Sequence, residues 1–451
     1  MSFALPNDVL LLVGDFIEDH EDRYNLIFVC RHFHDLFLRT VYRDASLRNC
    51  TQLKSFLAAI LRRPELARAV RTLDFDEWQT PSAGETHDDL SVFSTLIENV
   101  SQSDEEYAKW EQDLRKGSAE AWIALLLPLV SNVKQLNLVY PKENTYLDRT
   151  MQRAIKGDKP FDKQPALRAL EQVSMKHLDD EDCKGSYMPS QLLPFFRFPS
   201  MQSISADSVV ESTSQPDQTE PVDSSISEIH LTTSNGPSGM DSLISCSSLK
   251  SFKYQHSDNH LLAEGYQPSA FYRSLASSKN TLETLWLDSH GTHYPFTITG
   301  ANETHDEWFG SLTDFTVLKD IRIRLPNLLD IRYQPDPATS LPDILPKSVE
   351  SLYIEGCKEN SLSTLIAQLK LVLSKRRSRF PNLRTVDIEG FFHDEEDYED
   401  SGYDASAVGA EKTIKPRVYS MAEPLHASCA EAEIQLNLRD RDCPSTMVGS
   451  V

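Results

Sequence analysis

A short apolar pattern recurs along the chain, with an apolar residue followed at the third and fifth places by two more. Clear copies are Leu282-x-x-Leu285-x-Leu287 and Leu383-x-x-Val386-x-Ile388. In the second half of each copy, apolar residues alternate with other residues, which predicts a short β-strand with one face buried. Ten copies begin at Val70, Val133, Leu170, Met201, Ile226, Leu249, Leu282, Leu318, Val349 and Leu383.

The spacing of these copies indicates an internal repeat. After a first step of 63 residues, which could hide a skipped unit, successive copies lie 23 to 37 residues apart. A step of about 34 residues has room for one strand, one helix and two loops, which is the unit of a parallel sheet with right-handed crossovers. We therefore predict an α/β solenoid with parallel strands on a concave face and helices on a convex face. An ordinary mixed α/β domain with buried parallel strands is the alternative.

The residue between the last two apolar positions of each strand is expected to point away from the core. These residues would line the concave face, where repeat proteins usually bind partners. The candidate partner surface consists of Asn137, His230, Lys253, Trp286, Arg322, Tyr353 and Asp387.

The first 45 residues follow a different pattern. Val9, Leu10, Val13, Phe16 and Ile17 have helical spacing, and two further apolar helical segments follow at 26–29 and 33–42. Three short helices bury little surface by themselves, so this unit is expected to need a neighbour.

These residues resemble an F-box, which is a three-helix module. The likeness is carried by Leu5-Pro6, by the apolar first helix and by Val29-Cys30-Arg31-His32-Phe33, although Phe33 stands where Trp is common. The resemblance implies that the module packs on a Skp-type adaptor and joins a variable body to a cullin-RING ubiquitin ligase. An ordinary helical cap with its apolar residues all internal is the alternative. The adaptor-binding residues would be Leu5, Pro6, Leu10, Val29, Cys30, Arg31 and Phe33.

Most of residues 50–390 resembles the leucine-rich-repeat region that often follows an F-box. Only Cys357 supplies the Asn or Cys that usually closes the repeat, so an irregular solenoid is expected. The predicted domains are an F-box at 1–45, a repeat domain at 46–390 with a flexible insertion at about 207–225, and an acidic, largely flexible tail at 391–451. Polar and apolar residues alternate over 433–438, which predicts a strand that could pair with the last repeat.

Charge and sorting signals narrow the choice of partner and compartment. The chain has 45 Lys and Arg against 68 Asp and Glu, a net charge of −23, which disfavours nucleic acid and acidic membranes as partners. The N-terminus lacks a secretion-signal pattern, and the longest apolar run is too short to span a bilayer. We therefore expect a cytoplasmic or nuclear protein. Its seven cysteines form no Cys-x-x-Cys pair, which favours reduced, mostly buried thiols over a zinc ribbon.

The motifs of catalysis are missing from the sequence, which has no phosphate-binding loop, dinucleotide fingerprint or nucleophile elbow. His256, His260, His290 and His293 lack matching ligands and are interpreted as loop histidines. We accordingly predict no catalytic, cofactor or metal site. The hypothesis is a substrate-recognition subunit of a Skp-cullin-F-box ubiquitin ligase that recruits a target protein for ubiquitination. The alternatives are a protein-binding scaffold outside a ligase and an intracellular hydrolase.

Overall fold

The computed structural model describes residues 5–17, 19–75, 90–140, 144–163, 167–177, 179–180, 183–184, 187–211, 224–245, 248–257, 266–289, 306–331, 336–393, 413–440 and 443. The chain divides into two compact units, Met1–Ser208 with Val222–Ile226 and Val209–Pro221 with Ser227–Val451. Each unit is an α/β structure built on parallel strands.

Strands form at all ten copies of the apolar pattern, as predicted. Those of the first unit are β1 (Asp44–Ser46), β2 (Thr72–Asp74), β3 (Gln135–Tyr140), β4 (Gln172–His177) and β7 (Ser203–Asp207), with a small antiparallel pair of β5 (Asp179–Asp180) and β6 (Cys183–Lys184). Those of the second unit are β8 (Glu228–Ser234), β9 (Ser251–His256), β10 (Thr284–Ser289), β11 (Asp320–Arg324), β12 (Ser351–Lys358), β13 (Thr385–Phe391) and β14 (Gln435–Arg439). Within each unit the main strands pair in parallel, in chain order.

The repeated apolar positions build the core. Each of the three apolar residues in all ten copies is at most 2% exposed. Parallel pairing aligns them from strand to strand, so that Leu285 on β10 lies between Phe252 on β9 and Ile321 on β11. The pattern thus specifies which face of every strand is buried.

The edge where the strands begin is held by shared carbonyl groups. The carbonyl oxygen of Lys250 accepts from the amides of Glu283 at 2.7 Å and Thr284 at 3.0 Å. The same arrangement joins other neighbouring strands of both units, which fixes their register.

Helices connect the strands. In the first unit they are α1 (Asn7–Asp15), α2 (His20–Leu26), α3 (Arg31–Val41), α4 (Cys50–Arg62), α5 (Pro64–Ala67), α6 (Ser94–Val100), α7 (Asp104–Arg115), α8 (Ala119–Leu126), α9 (Tyr146–Lys156) and α10 (Pro189–Leu192). In the second unit they are α11 (Asp241–Ile244), α12 (Pro268–Ser274), α13 (Leu325–Leu328), α14 (Leu341–Ile344), α15 (Glu359–Ser374), α16 (Arg376–Arg379) and α17 (Pro416–Glu431). Many connections are single helical turns, which explains the uneven spacing of the repeats.

The N-terminal head, residues 5–43, consists of α1, α2 and α3, which is the predicted number of helices. The second was expected over 26–29, but α2 covers His20–Leu26 and a turn follows it. Gly14 lets α1 approach α3 closely, because a Cβ atom at this position would lie 2.5 Å from a ring carbon of Phe37. At its end α3 is followed almost directly by β1, which pairs with β2. The sequence pattern did not predict β1, since a strand of three residues is too short to display an alternation.

Two further expectations need correction. The step of 63 residues does not hide a strand of the sheet, because β2 pairs directly with β3 and helices occupy the described part of the interval. Residues 413–440 are not a flexible tail, since α17 packs on α15 and β14 extends the sheet beyond β13. The strand predicted at 433–438 is confirmed.

Some predictions fall outside the described residues. The flexible insertion predicted at about 207–225 lies partly in 212–223, and the acidic run at 394–400 lies in 394–412. Within the part of the chain that the structure describes, no helix combines the length and the apolar character needed to cross a membrane.

Removing one inward side chain should test how the core stabilises the second unit. Leu352 is fully buried on β12. We expect Leu352→Ala to lower the free energy of unfolding by about 3 kcal/mol, since the cavity left behind adds to the lost transfer free energy. Denaturant unfolding followed by circular dichroism would measure the change. The control is Ser351→Ala on the outward side, for which a change below about 0.5 kcal/mol is expected; equal losses would contradict the assigned faces.

Candidate functional site

The outward residue of each strand in the second unit lies beside its counterpart on the next strand. Strand pairing therefore places six of the predicted partner-surface residues in one row, and Asn437 on β14 continues it. The complete row is His230, Lys253, Trp286, Arg322, Tyr353, Asp387 and Asn437.

Cations and aromatic rings alternate along the middle of this row. The Lys253 ammonium lies 3.7 Å from the centre of a Trp286 ring, and the Arg322 guanidinium lies 4.5 Å from the ring centre of Tyr353. The Arg439 guanidinium, from β14, lies 6.0 Å from the ring centre of Tyr353. We call Lys253, Trp286, Arg322, Tyr353 and Arg439 the cation–aromatic row. Contacts of this kind contribute about 0.5–2 kcal/mol each, so the row is organised before any partner binds.

Carboxylates fix the arginines of this row. Nη2 of Arg322 lies 2.9 Å from Oδ2 of Asp288, and its Nε lies 3.2 Å from Oε2 of Glu355. Glu355 is 1% exposed, and the guanidinium compensates its buried charge. Burial alone would lower the pKa of Arg322, but the carboxylates of Asp288 and Glu355 raise it overall.

Hydrogen bonds orient the aromatic residues as well. The indole N–H of Trp286 donates to Asp320 at 2.9 Å, and the hydroxyl of Tyr353 donates to Glu389. Burial, followed by the hydrogen bond to the Glu389 carboxylate, raises the pKa of the Tyr353 hydroxyl. Tyr353 therefore remains a neutral donor, and both rings are held in one orientation.

The exposure of the row differs from the expectation of a fully solvated surface. Lys253, Trp286, Arg322 and Tyr353 are half-buried, because each covers part of its neighbour. Asp387 was expected to face water but is only 8% exposed. It accepts from Nε of Arg439 at 2.8 Å and from the Asn437 amide at 3.0 Å, and these side chains of β14 cover it.

The row begins at an exposed histidine. Partial desolvation, followed by the nearby Lys253 ammonium, lowers the pKa of His230. The imidazole is consequently neutral at pH 7, which leaves Lys253 as the cation of this end. Among the described residues, no carboxylate pairs with Lys253.

The equivalent row of the first unit has a different character. Asn137, the remaining predicted partner-surface residue, is half-buried and lies between Asp74 on β2 and Ser174 on β4. Its side-chain oxygen accepts from the Gln135 amide at 3.3 Å. These short side chains form no counterpart to the cation–aromatic row.

The predicted adaptor-binding residues lie on the N-terminal head. Leu5, Pro6, Val29, Cys30 and Arg31 are exposed. Leu10 is half-buried, and so is Phe33, whose ring centre lies 5.3 Å from that of Phe37. Cys30 also has a structural role at the start of α3, where its sulfur accepts from the Phe33 amide at 3.5 Å.

The head carries most of the exposed apolar side chains of the described residues. Of eleven large apolar side chains that are exposed, eight lie within residues 5–29. Phe16 is 83% exposed, Val29 64% and Leu5 57%. The alternative of a helical cap with its apolar residues all internal is therefore wrong.

One group of side chains has ligand types suited to a metal ion. Ligand atoms of His393, Asp440 and Cys443 lie within 4.8 Å of one another. However, Oδ2 of Asp440 already accepts from Nδ1 of His393 at 2.9 Å and from the Phe392 amide at 2.6 Å. We interpret the group as a buried hydrogen-bonded anchor for the end of β13. Sequence reasoning missed it because about 50 residues separate its members.

The histidines that were expected to lie in loops are only partly described. His260, His290 and His293 lie outside the described residues. His256 is not a loop residue, because it ends β9, is fully buried and lies 3.0 Å from the Tyr254 hydroxyl.

Repeated helix-and-strand units on parallel strands define a solenoid-type repeat protein. A family model described as a leucine-rich repeat domain matches residues 47–426, most of the chain. The protein therefore belongs to the leucine-rich repeat family, whose domains generally bind proteins and are non-catalytic. No curated protein matches the sequence.

The buried ion pair beneath the cation–aromatic row gives a direct test of its rigidity. We expect Arg322→Ala to destabilise the second unit by about 3 kcal/mol, because Glu355 loses the guanidinium that compensates its buried charge. Thermal and denaturant unfolding would measure the loss. The control is Lys319→Ala, which breaks the exposed 2.6 Å pair with Glu283 and should leave the stability nearly unchanged, because exposed ion pairs contribute little. A loss for Arg322→Ala no larger than for the control would contradict the structural role of this pair.

Proposed function

We propose that the protein is the substrate-recognition subunit of a Skp-cullin-F-box ubiquitin ligase. In this assignment the N-terminal head binds a Skp-type adaptor, and the leucine-rich repeat body binds a target protein. The exposed apolar surface of the head carries the proposal.

The distribution of apolar residues supports adaptor binding by the head. The body buries the apolar positions of its repeats almost completely, whereas the head leaves Leu5, Val9, Leu12, Val13 and Phe16 exposed on and before α1. Phe28 and Val29, between α2 and α3, are exposed as well. Contiguous apolar surface on a soluble protein is typical of a binding site.

The cation–aromatic row supports target binding by the second unit. Trp, Tyr and Arg are the residues most enriched among those that dominate binding energy at interfaces. Here they are half-buried and held by hydrogen bonds and ion pairs, so little side-chain entropy would be lost on binding.

The mechanism of such a subunit is proximity. A bound target would be held near a ubiquitin-charged conjugating enzyme elsewhere in the assembly, which raises the effective concentration of the target lysine. The receptor itself would contribute no reacting group or cofactor. It would act in the cytoplasm or the nucleus, where the ligase components reside.

A protein-binding scaffold outside any ligase is the second candidate. It is favoured by Phe33, which stands where many F-boxes have Trp and whose ring is partly covered by Phe37. The two candidates share the target-binding body and differ only in the role of the head.

Co-expression with a Skp-type adaptor distinguishes the candidates. We expect the two proteins to elute together in size-exclusion chromatography. The double substitution Leu5→Asp and Val29→Asp should weaken the complex by about tenfold or more, because it places charges in an apolar contact. Both residues are exposed in the free chain, so its thermal stability should not change.

The matched control is Leu371→Asp on α15, which changes an exposed leucine that is 45% accessible and lies outside the head. The control should bind the adaptor like the unmodified protein. Failure of the unmodified chain to bind the adaptor, or undiminished binding by the double variant, would refute the F-box assignment and leave the scaffold.

A further inference from the structure

A basic groove crosses the first unit where its strands begin. It has a volume of about 850 Å³ and is formed by the end of α3, the turn after α5 and the starts of β2, β3 and β4. Its charged lining residues are Arg39, Arg43, Asp44, Glu65, Arg68, Arg71, Lys134 and Glu171. Five cations therefore face three carboxylates in a chain whose net charge is −23.

Each of the three carboxylates already has a cationic partner. Glu171 pairs with Lys134 at 2.7 Å, inside the groove. Asp44 pairs with Arg23 at 2.9 Å and Glu65 with Arg63 at 2.9 Å, and neither of these arginines lines the groove. The carboxylates are therefore largely neutralised by residues other than the groove's own arginines.

Three arginines of the groove form no close ion pair with a carboxylate among the described residues, although Arg39, after the hydrogen bond from Arg63, is among the charges that lower the pKa of Glu65. Arg39 and Arg68 are exposed and form no ion pair there. Arg71 is fixed by backbone carbonyls, with its Nη1 2.7 Å from the Arg68 oxygen and 3.0 Å from the Val70 oxygen. Carbonyl groups orient this guanidinium but leave its positive charge uncompensated.

The second unit offers an internal comparison at the same structural position. The residues of this unit whose carbonyls accept two amides from the next strand are Ser227, Lys250, Glu283, Lys319 and Glu350, so cations and carboxylates alternate after the neutral Ser227. Lys319 and Glu283 pair directly at 2.6 Å. In the first unit the corresponding series starts with three successive cations, Arg43, Arg71 and Lys134. In the second unit each cation of this series is followed by a carboxylate, whereas in the first unit three cations come in succession before Glu171, which pairs with Lys134.

We propose that this groove binds an acidic segment of a partner protein, with carboxylates on Arg39, Arg68 and Arg71. Each guanidinium presents a planar fork that matches a carboxylate. These three guanidinium groups come from two segments of chain, Arg39 from the end of α3 and Arg68 with Arg71 from the turn after α5. Spread over two segments, they suit successive acidic side chains of an extended peptide better than one compact, highly charged group. The net negative charge of the protein does not prevent this contact, because charges further away than about 8 Å are screened at physiological salt.

The site differs from the surfaces of the proposed function. It lies neither on the exposed apolar face of the head nor on the cation–aromatic row of the second unit. Adaptor binding and acidic-segment binding can therefore be measured independently on the same variants.

The experiment measures binding of a fluorescently labelled octaglutamate peptide to the full-length protein by fluorescence anisotropy. We expect saturable binding that weakens as salt rises from about 50 to about 200 mM. The double variant Arg39→Ala and Arg68→Ala should weaken binding about tenfold. Arg71 is left unchanged because its contacts stabilise the turn.

The control is the double variant Arg168→Ala and Arg197→Ala, which removes two exposed arginines of the same unit that do not line the groove. Its binding should equal that of the unmodified protein. An equal loss in both double variants, or no saturable binding by the unmodified protein, would overturn the proposal. Binding of a doubly phosphorylated serine peptide, but not of octaglutamate, would overturn the choice of carboxylates.

Discussion

The register of the parallel strands is the constraint on which the rest of the structure depends. Side chains alternate strictly along a strand, so a slip of one residue would exchange its buried and outward sets. For β10, such a slip would bring Trp286 inward and expose Leu285 and Leu287. The apolar positions of the repeats, which are at most 2% exposed, make this exchange very unfavourable. The same residues therefore define both the core and the outward row.

This register also determines the chemistry of the outward face. Because Lys253, Trp286, Arg322 and Tyr353 occupy equivalent places on successive strands, their side chains meet at the spacing of the strands. At that spacing the cationic side chains lie over the aromatic rings of neighbouring strands. The carboxylates of Asp288 and Glu355, two residues further along β10 and β12, pair with Arg322. The first unit has the same backbone arrangement but short side chains such as Ser174 on this face. The difference in surface chemistry between the two units thus lies in single outward positions.

The sequence predicted the parts of this fold that are local and repeated. Three apolar residues within six positions located ten strands and their buried faces, and helical spacing located α1 and α3. It did not predict partners that are distant in the chain, such as Asp387 with Arg439 or Glu355 with Arg322. These contacts depend on which strands become neighbours, and that follows from the assembled sheet. Strand β1 was missed because three residues are too few to display an alternation, and helix α17 because Pro424 lies within it, where proline normally breaks a helix.

The head and the body differ in how completely they bury their large apolar side chains. Burying a large apolar side chain contributes about 1.5–3 kcal/mol relative to leaving it in water. The body gains this contribution in every repeat, whereas the head forgoes it at Phe16, Leu12 and Val29. The cause is geometric: three helices in fewer than 45 residues enclose too little volume, and Gly14 already brings α1 as close to Phe37 as the backbone permits. A second polypeptide placed over α1 would supply the missing burial without rearranging the helices, which is the property that a recruiting module requires.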